Sequence, residues 1–243
     1  METFMLDYIT ASLPRVQALI ERQQDALSQA AERMVEAVAA DRLIYAFGTG
    51  HSHMIPMELF GRAGGLANAA AILDDTILNG AGATRSSRME RLPGLADILW
   101  DEFGVSAGDV MLIVSNSGLN ASVVEMAQRA RRESVYCIAI TSLQQSQANT
   151  ARHASGAKLY QVADLVIDNG APDGDALLHY GDLGTGAFSS LSGIAIAQTL
   201  VAETVRRCVE RGIEVPLYQS QNTDRRTGND ALFARYKPRI RHL

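Results

Sequence analysis

The stretch from Asp109 to Asn120 reads DVMLIVSNSGLN, and its reading decides the fold. Val110 to Val114 is an unbroken β-branched and aliphatic run, the pattern of a strand buried on both faces in a parallel sheet. It ends abruptly at Ser115-Asn116-Ser117-Gly118-Leu119-Asn120, and a helical period (Val123, Val124, Met126, Ala127, Ala130) starts at once. Hydroxyls, amides and a glycine therefore sit where a strand's carboxyl end passes to a helix amino end. There backbone N–H groups lack intrahelical partners and the helix dipole is positive. Gly118 allows the backbone to approach a ligand, and Ser115 and Ser117 can donate hydrogen bonds. This chemistry suits an oxyanion, a phosphate above all.

One unit earlier the pattern repeats. Leu43 to Phe47 reads as a strand, followed by Gly48-Thr49-Gly50-His51-Ser52-His53 and a helix to about Ala63. A dinucleotide fingerprint would need glycine at 53, where His53 stands, and no acidic residue other than Asp74 or Asp75 lies in a second-strand position. The turn reads instead as a second ligand loop facing the first. The helix after it carries Glu58 and Arg62. Glu58 is a candidate base, with His51 or His53 moving protons; the alternative is that Glu58 and Arg62, four apart, pair on a helix face. His51, His53 and a carboxylate could ligate zinc, but their spacing matches no strong metal signature. No metal and no cofactor is expected.

Further outward, residues 2 to 41 read as helix in two pieces, with Pro14 interrupting the first and Ser28 capping the second. Leu13, Val16, Leu19, Ile20 and Leu27 form an apolar stripe that packs on the core or on a partner. Ala69 to Leu73, Val135 to Thr141 and Val162 to Ile167 read as further strands. Strands alternating with helices at this spacing imply a doubly wound parallel sheet, whose ligands bind beyond the carboxyl ends of the strands. Residues 76 to 108 lack periodicity and carry Arg85, Arg88, Glu90 and Arg91, as a lid, a subunit contact or a solvated loop. Pro172 to Ser192 is glycine-rich and holds His179, a candidate acid/base group for this site or a neighbouring subunit's. A buried helix follows from about Ser190 to Glu210, and residues 212–243 form a polar, basic tail wrapping the surface or a partner.

Composition bounds the partners. The 243 residues suit one large α/β domain, spanning 1–243, with helical extension. A net charge of -5 argues against nucleic acid. Two cysteines, Cys137 and Cys208, are too few for a disulfide framework, no apolar run reaches a membrane span, and the amino terminus lacks a signal peptide's apolar core. The expected location is the cytoplasm, away from membranes.

The loops GTGHSH and SNSGLN on a five-stranded α/β pattern resemble the sugar isomerase (SIS) domain. The stretches FGTGHSHMIPMELFGRAGG, RMERLPG, IVSNSGLNA, IAITSLQQS, RHASGAKLYQVADLVIDN, GDAL and KPRIRHL make the resemblance to the UPF0309 group of SIS-domain proteins specific over almost the whole chain. It implies a three-layer sandwich with a flavodoxin-like, five-stranded parallel sheet, and a homodimer or homotetramer with sites at subunit interfaces. Ser115, Asn116, Ser117, Gly118 and Asn120 would hold a sugar phosphate. Gly48, Thr49, Gly50, His51 and Ser52 would line the sugar. SIS isomerases place a catalytic glutamate on the helix after the first loop, where Glu58 stands, closer to the loop than in the phosphoheptose and glucosamine enzymes. Two functions follow as expectations: an aldose–ketose isomerase working through an enediol (or a related lyase, deaminase or epimerase), and a non-catalytic phosphosugar sensor acting through a partner protein.

Overall fold

Side chains of the central strands alternate between two apolar cores, one on each face of the sheet. The computed structural model describes residues 6–222 and 228–243. In chain order, α1 (Asp7–Arg22) and α2 (Gln24–Ala39) precede β1 (Ile44–Gly48), α3 (Met54–Leu59) and β2 (Ala69–Ile72). Next come α4 (Ala83–Met89), α5 (Leu95–Phe103), β3 (Val110–Val114), α6 (Ala121–Arg132), β4 (Tyr136–Thr141), α7 (Leu143–Ala148), α8 (Leu159–Val162) and β5 (Leu165–Asp168). The last elements are β6 (Ala176–Tyr180), β7 (Leu183–Ala187), α9 (Ser189–Glu210) and α10 (Asn229–Tyr236).

Five strands form one parallel sheet in the order β2-β1-β3-β4-β5. This is the flavodoxin-like order that the resemblance to SIS domains implies. Tyr45, Phe47, Met111, Ile113, Cys137 and Ala139 point to one face and meet Trp100, Phe103, Val123, Met126 and Tyr236 from α5, α6 and α10. Ile44, Ala46, Leu112, Val114, Ile138 and Ile140 point to the other and meet Leu27, Met34, Val35, Ile196 and Leu200 from α2 and α9. Each buried aliphatic side chain contributes roughly 1.5–3 kcal/mol, so the sheet and both helical layers stand or fall together.

Several expectations are corrected. Pro14 does not interrupt the first helix: α1 runs through it, and the break falls at Gln23, one residue between α1 and α2. Pro14 and Thr10, whose carbonyl loses its N–H partner, are both exposed. Ser28 caps nothing; it lies inside α2 and accepts the Arg207 guanidinium at 2.7 Å. The helix after the first loop stops at Leu59 and not near Ala63. The fifth strand starts at Leu165, because residues 159–162 form α8, tied by Leu159 N–H to the Gly118 carbonyl at 2.9 Å. Residues 76–108 are not a loose loop; they build α4 and α5, and Trp100 and Phe103 enter the core.

The glycine-rich segment forms an antiparallel hairpin of β6 and β7, unexpected from sequence. It leans on α1, with the Tyr180 hydroxyl donating to Asp7 at 3.0 Å and the Tyr8 hydroxyl to the Ala187 carbonyl at 2.7 Å. The tail does wrap the molecule. Tyr236 and Ile240 are buried, and Arg235 and Arg239 pair with Asp41. Among the described residues no helix is long and apolar enough to cross a membrane.

Candidate functional site

The chain leaves β1 toward β2 on one side and β3 toward β4 on the other, so the order reverses between these two central strands. Doubly wound sheets open a crevice at this place, beyond the carboxyl ends. Gly48 and Val114 are partners across the β1–β3 ladder, so the loops Gly48–His53 and Ser115–Asn120 start side by side. Sequence reasoning set these loops facing one another, and the register brings them together.

Tight turning builds the first loop. Gly48 must lack a side chain, since a Cβ there would lie 2.7 Å from the Ser52 carbonyl oxygen. Gly50 has φ +55°, a conformation other residues adopt only with strain, and it opens a 3₁₀ turn to His53. The turn is held from above by the segment before α5. Gly50 N–H donates to the Ile77 carbonyl at 3.0 Å, and the Asn79 amide meets His51 Nδ1 at 2.8 Å. With the amide as donor, His51 carries its ring proton on Nε2. The Thr49 hydroxyl is buried and donates to the Glu90 carboxylate at 2.6 Å. His53 turns back to the Gly50 carbonyl, while Ser52 Oγ makes no hydrogen bond among the described residues.

Glu58 sits on α3 with one carboxylate oxygen committed. Its Oε1 pairs with Arg62 and accepts the Gln198 amide of α9 at 2.8 Å. The pairing with Arg62 is the one that four-residue spacing allows, and it persists although the helix ends between the two residues.

Neighbouring strands knit the second loop into the sheet. Ser115 is buried and its Oγ accepts the Gly118 N–H at 3.1 Å, so that amide is not free for a ligand. The Asn116 carbonyl accepts from Ser142 N–H at 3.0 Å and from the Thr141 hydroxyl at 3.3 Å, and its side chain bonds Gln145 and Asn169. Gly118 has φ +63°, and a Cβ would lie 3.1 Å from both Leu159 Cβ and Thr141 Oγ1. Packing against α8 and β4 thus requires a glycine at this position. Ser117 is half-buried and its hydroxyl makes no hydrogen bond among the described residues. Asn120 enters α6 in extended conformation without capping it; its Oδ1 accepts Arg152 Nη1 at 3.1 Å.

Two residues join the site that sequence reasoning did not choose. Arg152 donates its N–H to the Leu119 carbonyl at 3.2 Å and so places a cation at the head of α6, where an anion is already favoured. Glu90 accepts from Thr49 of the first loop through its side chain and from Ser122 N–H of α6 through its carbonyl, at 3.1 Å. Neither lies in a periodic segment, so no spacing could single it out. His179 joins neither loop within this chain: it is exposed on β6. Among the described residues no group of three or more His, Cys, Asp or Glu side chains converges as metal ligands.

The crevice thus offers a free hydroxyl, a guanidinium and a helix amino end on one side. On the other it offers carboxylates and a histidine N–H. Comparison with known proteins bears on this arrangement. A family model described as SIS domain matches residues 7–142. A UPF0309 protein of Halalkalibacterium halodurans is 41% identical over 219 residues, 89% of this chain and 90% of its own length. One from Listeria innocua is 35% identical over 237 residues, 96% of each chain. Among solved structures, a phosphoheptose isomerase from Francisella tularensis superposes with TM-score 0.54 at 16% identity, covering 85% of this chain and all of that one (100%). The Vibrio vulnificus NanR protein, solved in complex with ManNAc-6P, gives 0.53 at 17%, covering 87% of this chain and 66% of that one. The structural likenesses speak for the shared fold, and the sequence relatives for the lineage: this chain belongs to the SIS-domain family and, within it, to the UPF0309 proteins.

Proposed function

We propose that the protein binds a sugar phosphate across the β1–β3 crevice and interconverts its aldose and ketose forms through an enediol. The observation that carries this reading is the head of α6, where the uncommitted Ser117 hydroxyl and the Arg152 guanidinium flank a positive helix end. On the adjacent strand, directly after β1, stands the loop with His51 Nε2–H. Phosphate held at one side fixes the sugar carbons at the other, and remote binding energy of this kind positions reacting groups. A carboxylate takes the carbon-bound proton, and the His51 N–H polarises the carbonyl oxygen. The chain acts in the cytoplasm as a homo-oligomer without metal or cofactor. In support, Leu6 just before α1, Ile9 and Leu13 of α1, and Tyr180 and Leu183 of the hairpin leave apolar surface for a second copy, and both thiols are buried and unpaired.

A thermal-shift panel of sugar phosphates against their unphosphorylated sugars tests the reading, because a ligand that binds only the folded state raises its stability. Phosphorylated members raise the melting temperature and plain sugars do not. Ser117→Ala weakens the binding about tenfold, the worth of one hydrogen bond to a charged group; equal affinity in calorimetry would refute the phosphate assignment. A second reading, a non-catalytic phosphosugar sensor, draws support from Glu58, whose carboxylate is taken up by Arg62 and Gln198. Deuterium exchange from solvent into the bound sugar separates the two, since only the enzyme produces it.

A further inference from the structure

The Glu58 carboxylate is bound to a guanidinium, which leaves open which group removes the proton. Glu90 lies elsewhere in the chain, at the end of α4, in a stretch with no periodic pattern. Its position is set twice. The Thr49 hydroxyl holds one carboxylate oxygen, Oε2, at 2.6 Å, and the Glu90 carbonyl holds the Ser122 amide of α6 at 3.1 Å. One residue thus clasps the first loop with its side chain and the head of the second loop's helix with its backbone. No ion pair neutralises it among the described residues, and Oε1 is uncommitted.

Negative charge with no cation partner, half-buried at the meeting of two ligand loops, is costly to keep for architecture alone. A glutamine would serve Thr49 equally well as acceptor, without the charge. The Thr49 hydroxyl, buried and donating, leaves one carboxylate oxygen oriented and the other available, the state a general base needs. Glu58 differs in its charge, which is paired with the Arg62 guanidinium; Arg62 and Gln198 both bind Oε1.

We infer that Glu90 is the general base of this site; the inference rests on the isomerase reading above. Glu90 Oε1 takes the proton from the carbon beside the carbonyl. The C–H electron pair becomes the C=C bond of the enediol, the carbonyl π pair moves to its oxygen, and a water protonates that oxygen. The hydroxide left behind takes the proton of the neighbouring hydroxyl. As the new carbonyl forms there, Glu90 returns its proton to the adjacent carbon, and water and carboxylate are both restored.

The test uses the full chain in D₂O with arabinose 5-phosphate, fructose 6-phosphate, glucosamine 6-phosphate and sedoheptulose 7-phosphate, reading deuterium at the carbons flanking the carbonyl by NMR. Glu90→Gln keeps the Thr49 hydrogen bond and so the brace. It should slow exchange about a hundredfold or more while phosphosugar affinity stays within about twofold. Glu90→Asp, which keeps the charge but shortens the reach, should recover part of the rate. Exchange at the wild-type rate in Glu90→Gln would overturn the inference and leave the isomerase reading standing. Loss of exchange in Glu58→Gln with Glu90→Gln unaffected would overturn it in favour of Glu58. No exchange by the wild type with any of the four sugars, although they bind, would remove the isomerase reading and this inference with it.

Discussion

Two glycine turns leave neighbouring strands of the same sheet in register, yet they are held in unlike ways. The Ser115–Asn120 loop is bound by residues of the next units along the sheet: Thr141 at the end of β4, Ser142 and Gln145 after it, Leu159 of α8, and Asn169 after β5. The Gly48–His53 loop is bound by a segment laid over it, through Ile77, Asn79 and Glu90. The first arrangement shares the rigidity of the sheet, and the second depends on α4 and the turn before it staying in place. A rigid cradle suits an anchor for the unchanging phosphate. Polar groups carried on a covering segment suit the end of the sugar where bonds change.

This contrast can be broken most directly at its glycines. Gly118→Ala adds a Cβ 3.1 Å from two atoms of packed neighbours at a left-handed φ. It should cost about 3 kcal/mol, strain and overpacking together, and abolish phosphosugar binding. Gly50→Ala carries only the backbone strain, because its nearest atom, Asn79 Oδ1, is 3.7 Å away; its cost should be about 1 kcal/mol. Urea midpoints of the two variants measure the difference, and equal losses would erase the distinction between a packed and an open turn.

Next in size is Arg152→Gln. It should lower phosphosugar affinity about tenfold in calorimetry and reduce the salt dependence of binding, with the folding midpoint almost unchanged. A loss of stability in place of affinity would make Arg152 a strut of the second loop. The smallest effect lies outside both loops, where Glu32 and Glu203 clamp α2 and α9 through Arg206, Arg207 and Arg211. Hydrogen bonds to Arg211 and Arg206 respectively hold these carboxyls at about 2, below their usual 4.5. Their folded values are depressed, so their contribution is complete above about pH 4.5 and is lost as pH falls toward 2. Glu203→Gln should flatten that part of the stability–pH curve by about 1 kcal/mol or less, as for exposed ion pairs. Phosphosugar affinity of this variant at neutral pH should not change, since the clamp touches neither loop.

The sheet was legible because burial on two faces demands long apolar runs. Val110 to Val114 and Leu43 to Phe47 could scarcely be anything else, and the polar turns after them had to lie at the carboxyl ends. The β6–β7 hairpin was hidden, since its strands carry glycines and half-exposed residues in place of an apolar alternation. Arg152 and Glu90 were hidden for another reason. Each reaches the crevice from a stretch far along the chain, 32 residues from Asn120 and 41 from Thr49, and no local pattern encodes such a meeting.

Amino-acid order alone settled the strands, their alternation with helices and the two polar turns, because hydrophobic burial and turn chemistry act over a few residues. Only the folded chain decided which groups those turns present. Gly118 faces α8, Ser115 spends its acceptor on the loop itself, and Glu58 turns to Arg62. Hydrogen-bond partners distant in sequence compete for each polar atom, and that competition is resolved in three dimensions.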